Sequence, residues 1–184
     1  IHYYNLHSDS LVGLNDRHNY FGGGRGGKID NVTMLRVPGS GMLSAGMQQV
    51  ADRPFILSEW IHVSPNEWGV EGPAVIGAYG MGLQGWDASY EFFSGHGGFS
   101  ETLGRTWNVQ QPSQIGLYPA LARMVYRGDV AEADVVSVRN VYMPGFADSD
   151  DPGFEERVLQ EGDRGYFTVN TASTKGVVGF APNK

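Results

Sequence analysis

Cysteine is absent from these 184 residues. That excludes disulfide frameworks and thiolate metal sites, and it leaves the compartment open. Apolar runs approaching the roughly 18–20 residues of a membrane span are also missing, so no membrane partner is expected. The opening residues lack the basic stretch and apolar stretch of a secretory signal. Ile1 is not a natural initiator, so an upstream segment is expected to have been removed. Positive charge is scarce: 13 lysines and arginines face 20 aspartates and glutamates, a net charge of −7. A general nucleic-acid binder needs a basic face, so that class is set aside. Heavily sulfated glycans are disfavoured more gently on the same ground.

What remains is an ordinary globular composition, since 41% hydrophobic and 18% charged residues do not describe a disordered chain. The length suits one domain, or one domain and part of another. The 27 glycines, about twice the usual share, accompany 12% aromatic residues. That pairing suits a loop-rich protein with a stacking site, and equally a β-rich fold.

Along the chain, an aromatic-rich opening leads to Asp16-Arg17-His18-Asn19-Tyr20-Phe21, read as a strand ending at His18–Tyr20. The glycine-rich run from Gly22 to Gly27 lacks the Lys-Ser/Thr ending of a phosphate loop, and no helical pattern follows it. A short helix is expected within 40–51 and a strand over 54–59. A helix is expected over about 71–83, with Pro73 in its first turn, where a missing N–H costs little. Gly77, Gly80 and Gly82 weaken it but permit close packing against a sheet. Residues 86–93 read as another strand. The apolar residues Ile115, Leu117, Tyr118, Leu121, Ala122 and Val125 recur near the 3.6 period of a helix over 112–127, stopped by Gly128. After Asp129 come β-type runs at 135–138, 141–143, 166–169 and 177–180, with an acidic loop over 147–157. Strand–helix alternation suggests parallel strands joined by crossovers. The expected fold class is therefore α/β up to about residue 130, followed by a β-rich appendage.

The stretch Arg53-Pro54-Phe55-Ile56-Leu57-Ser58-Glu59-Trp60 is the most informative. A short apolar run bounded by turn signals suits a strand buried on both faces. Glu59 then falls at the strand's C-terminal end, where α/β barrels carry their catalytic groups.

Three motifs, Asp16-Arg17-His18-Asn19-Tyr20, Ser58-Glu59-Trp60 and Gln84-Gly85-Trp86-Asp87, resemble the last strands of a clan A (β/α)8 glycoside hydrolase of the agarase-like and β-galactosidase-like bacterial kind. The resemblance implies that residues 1–130 form the C-terminal part of a TIM (β/α)8 barrel and 131–184 the start of a β-sandwich-like domain. It implies a retaining O-glycosyl hydrolase acting on a β-linked, galactose-containing poly- or oligosaccharide, with Glu59 as nucleophile. Tyr20 or His18 would hold that carboxylate, and Trp86 would floor the sugar site. Trp60 is a second stacking candidate, because sugars present apolar C–H faces to rings. Glu67 and Trp68 would line the cleft from their loop, and His96 sits where a barrel loop would meet substrate. No cofactor is implied. A polymer substrate would favour an extracellular or periplasmic location, a short oligosaccharide an intracellular one.

The blander readings stand beside these. Glu59 could pair with an arginine such as Arg17, His18 could be a satisfied core histidine, Trp60 and Trp86 core aromatics, and 67–68 a solvated loop. His2, His7, His18 and His62 match no standard zinc spacing, so no metal is expected. Ser58 and Ser94 lack the Gly-x-Ser-x-Gly elbow of an esterase. One departure from the family matters: its strand-four Asn-Glu pair, source of the general acid/base, has no counterpart on a strand here. Asn66-Glu67 lies in a loop and does not take that role. Retaining hydrolysis needs two carboxyl groups about 5–5.5 Å apart. The chain is therefore expected to need a partner, either an N-terminal barrel half or a second copy. The alternative is a non-catalytic carbohydrate-binding or assembly module that keeps barrel-like strands.

Overall fold

The computed structural model describes residues 3–23, 28–37, 39–93, 107–142 and 175–181. Helix α1 spans Tyr3–Val12 and leads through a turn at Gly13 into strand β1, Asn15–Phe21. Two 3-10 segments, Met34–Arg36 and Gly41–Met47, precede β2 at Phe55–His62. Helix α2, Glu71–Ala74, runs on without a break as a π-helix over Val75–Leu83. Strand β3 is Ala88–Glu91. Helices α3, Pro112–Ile115, and α4, Tyr118–Arg127, come before β4, Val135–Tyr142, and β5, Lys175–Ala181.

Strands β1, β2 and β3 form one parallel sheet in sequence order. Parallel neighbours need long crossovers, and the 3-10 segments and the α2–π helix occupy them. Beneath the sheet lies the core: Met34, Met42, Leu43, Ala45, Phe55, Leu57, Trp60, Val75, Ile76 and Trp86. Toward α1, Arg17 is buried in an ion pair with Asp9, and Asn15 donates to the Leu6 carbonyl at 3.3 Å. β4 and β5 make a separate parallel pair.

Several elements differ from the sequence reading for identifiable reasons. The aromatic opening is helical. The expected helix over 71–83 exists, but its second part has π geometry: the Gln84 N–H reaches back five residues to Tyr79 O, at 2.8 Å. Its glycines pack against other elements than the sheet. A Cβ on Gly77 would lie 3.0 Å from Leu121 of α4, and one on Gly80 only 2.3 Å from Trp86. The expected helix over 112–127 is broken at Gly116–Leu117, because Pro119 has no N–H and its ring crowds the preceding turn. Gly128 ends α4 in the left-handed region (φ 66°), and the Asp129 N–H bonds Met124 O at 3.1 Å as in a Schellman close. The run at 135–138 and residues 141–142 belong to one strand, β4, and residue 143 lies outside the described residues. The run at 166–169, the acidic loop over 147–157 and the glycines 24–27 also lie outside the described residues.

Candidate functional site

The pairing of β1 with β2 slips by one residue: Arg17 faces Leu57, but His18 faces Glu59, leaving Ser58 as an extra residue. Such a bulge re-aims side chains, and it explains the site. Strict alternation would put Leu57 and Glu59 on one face, Ser58 and Trp60 on the other. With the bulge, Leu57 and Trp60 both enter the core, while Ser58 and Glu59 both meet the side chains of Asp16, His18 and Tyr20. Those three alternate along β1 and so share its opposite face from Arg17.

The contacts form a continuous chain. The Tyr20 phenol donates a short hydrogen bond to Glu59 Oε2. His18 Nδ1 lies 3.4 Å from the same oxygen. On its other side, His18 Nε2 is 3.1 Å from Ser58 Oγ. Ser58 donates its hydroxyl to Asp16 Oδ2 at 2.6 Å and its backbone N–H to Asp16 Oδ1 at 3.0 Å. Both Tyr20 and His18, the residues expected to orient Glu59, therefore touch its carboxylate. Burial, then the hydrogen bond to Glu59 and that residue's charge, push the Tyr20 phenol up to about 12. It stays a donor throughout the physiological range. Arg17 is engaged with Asp9, so the reading in which it neutralises Glu59 has no support in this geometry.

The aromatic wall differs from expectation. Trp60 and Trp86 are only 1% and 2% exposed and sit in the core, so neither ring offers an open face. The reason for Trp60 is the bulge; Trp86 packs on Phe55, at 5.3 Å between centroids, and into the gap at Gly80. In their place, Phe92 and Trp107 stand edge-to-face with Tyr20 at 5.9 and 5.5 Å, and with each other at 5.6 Å. This three-ring group adjoins the Glu59 carboxylate through Tyr20. Phe92 was legible only as part of a strand end, and Trp107 carried no local motif at all.

Glu67 and Trp68 are exposed on the turn after β2. The Glu67 N–H is held by Asn31 Oδ1 at 2.9 Å and that of Trp68 by Asn66 Oδ1 at 2.8 Å, so backbone contacts fix the turn and leave both side chains facing outward. His96 lies outside the described residues. A further carboxyl, Glu91, lies on β3 in register with Trp60. Both its oxygens are buried without a hydrogen-bond partner, and burial pushes it up to about 8. The described histidines are dispersed: His7 meets Phe180 edge-to-face at 5.0 Å between centroids, and His62 is fully buried at the end of β2. Burial holds the His62 imidazole below its usual range, against the opposing charge of Glu71. Among the described residues, no three histidines or carboxylates gather as a metal site, and no helix is long and apolar enough to cross a membrane.

No family model, no curated protein and no solved structure matches this chain.

Proposed function

We propose that the chain is part of a retaining O-glycosyl hydrolase, with Glu59 as the nucleophile. The observation that carries this reading is the grip on Glu59. Its carboxylate stands on the fifth of the eight residues of β2 rather than at the strand's end as the sequence suggested, takes a hydrogen bond from Tyr20 and faces His18, and shares that face with a group of aromatic rings. A nucleophilic carboxylate must attack the anomeric carbon in one fixed orientation, and donors on one oxygen leave the other free to do so. Phe92 and Trp107 supply faces for the apolar side of a sugar ring. A β-linked, galactose-containing saccharide is the substrate class in keeping with the sequence motifs.

The second carboxyl group is the further requirement. Asp16 is committed to Ser58, and Glu91 is buried in register with the core residue Trp60, so neither takes the acid/base role in this reading. That group would come from an N-terminal barrel half or a second copy of the chain, docked where β1 or β3 has a free edge; among the described residues each pairs only with β2. Glu59→Ala in the assembled enzyme is expected to abolish turnover while leaving folding intact. Activity within tenfold of the parent would overturn the assignment. Sugar binding without any hydrolysis, with the partner supplied, would favour a carbohydrate-binding module instead.

A further inference from the structure

The proton inventory of the Asp16–Ser58–His18–Glu59 chain has only one consistent arrangement. An ionised Asp16 carboxylate has no proton to give, so its 2.6 Å contact with Ser58 Oγ must use the serine's own hydrogen. Ser58 then has only lone pairs to offer His18. The 3.1 Å contact between them requires His18 Nε2 to carry a proton and donate it. In a neutral ring that leaves Nδ1 bare, with its lone pair 3.4 Å from the Glu59 carboxylate, which is repulsive. The contact becomes attractive when Nδ1 is protonated as well.

We infer that Asp16 and Ser58 are positioning residues: they lock a proton on Nε2 of His18, so that His18 grips Glu59 only while it carries its second proton. Among the described residues, the ionisable groups facing the ring and its partner are Asp16 and Tyr20 on β1 and Glu59 on β2. The charged pair Arg17–Asp9 lies toward α1, away from this face. With His18 charged, Glu59 is held by both the imidazolium and Tyr20; once His18 is neutral, only Tyr20 still donates to it. His18 thereby makes the hold on Glu59 depend on pH, with the sense of the dependence fixed by a serine and an aspartate whose side chains bond each other and His18 rather than the Glu59 carboxylate. Its bearing on turnover rests on the proposed hydrolase reading, but the proton placement does not.

The test is the histidine ring nitrogen spectrum of the 15N-labelled chain, followed through the histidine titration, with His18 identified by its loss in His18→Gln. Neutral His18 is expected to be the Nε2–H tautomer. Asp16→Asn sharpens the test. The backbone N–H of Ser58 holds the asparagine carbonyl where Oδ1 now sits, so its amide N–H₂ must face Ser58 Oγ. The serine hydrogen then turns to His18 Nε2, and the neutral ring switches to the Nδ1–H tautomer. Neutral His18 found as Nδ1–H or as a tautomer mixture in the unaltered chain would overturn the inference, whether or not the variant folds. So would an unchanged tautomer in folded Asp16→Asn. In the assembled enzyme, any loss of kcat that follows His18 deprotonation should disappear in Asp16→Asn, whose neutral His18 still donates to Glu59. An intact tautomer switch with no hydrolysis would count against the hydrolase reading and leave the proton lock standing.

Discussion

Tyr20 on β1 and Glu59 on β2 are joined by a short hydrogen bond from phenol to carboxylate, although 39 positions separate them in sequence. The bulge at Ser58 makes this contact, because without it Glu59 would turn toward the core with Leu57. Removing the phenol should therefore act on Glu59 and little else. Tyr20→Phe keeps the ring against Phe92 and Trp107 and deletes one hydrogen bond to a charged group, worth about 1.5–3 kcal/mol. In the assembled enzyme, kcat is expected to fall about ten- to hundredfold on that basis, and the melting temperature by several degrees, at about 2–4 °C per kcal/mol lost. Steady-state kinetics and thermal unfolding on the same variant check both parts.

The two classes of tryptophan should separate cleanly. Trp60→Ala empties a core position and should cost about 3–5 kcal/mol of stability, measured by denaturant unfolding. Trp107→Ala should leave stability close to that of the parent, since the ring is only partly buried. Its expected effect is on saccharide affinity, weakened about tenfold or more through lost ring contact, measured by calorimetric titration.

Glu91 gives a pH signature. Its folded carboxyl stays protonated up to about pH 8, well above the usual carboxylate range, while the unfolded one ionises near its ordinary value. Between those two points the unfolded state binds fewer protons, so stability falls as pH rises and levels off above about 8. Glu91→Gln removes the titration and should be more stable than the parent at pH 8, by on the order of a few kcal/mol, with a much smaller difference at pH 4. Equal stabilities at pH 8 would show that the carboxyl finds a partner in solution.

Gly80 is an excluded-volume position. Alanine there gains helix propensity of about 1 kcal/mol, but its Cβ would stand 2.3 Å from the Trp86 ring. Overpacking of this kind costs about 1–3 kcal/mol, so Gly80→Ala is expected to lower the melting temperature despite the favourable propensity. A rise would mean that Trp86 can move aside.

Much of the scaffold was legible in the sequence. The apolar run before Glu59 marked β2, the glycine at 128 marked the end of α4, and strand–helix alternation implied a parallel arrangement, which β1, β2 and β3 adopt. The resemblance to the hydrolase family alone pairs Tyr20 and His18 with Glu59, and both touch its carboxylate. The aromatic assignments failed for two physical reasons: Trp86 packs on Phe55 and into the gap at Gly80, and Trp60 is turned inward by the bulge. A single inserted residue at Ser58 reverses which face every later side chain of β2 takes, and no local feature of Leu57-Ser58-Glu59-Trp60 announces it. Trp107 was missed because it reaches the site from a segment distant in sequence. The π geometry of 75–83 was also hidden, since its glycines signal only a weak helix.

The most direct test of the central claim is covalent trapping. The chain in its native assembly is incubated with a 2-deoxy-2-fluoro-galactoside carrying a good leaving group, which slows release of a glycosyl–enzyme intermediate, and is then digested and mapped by mass spectrometry. The account expects one sugar adduct, on the peptide containing Glu59, and none in Glu59→Gln. An adduct on another carboxylate, or none at all, would contradict it.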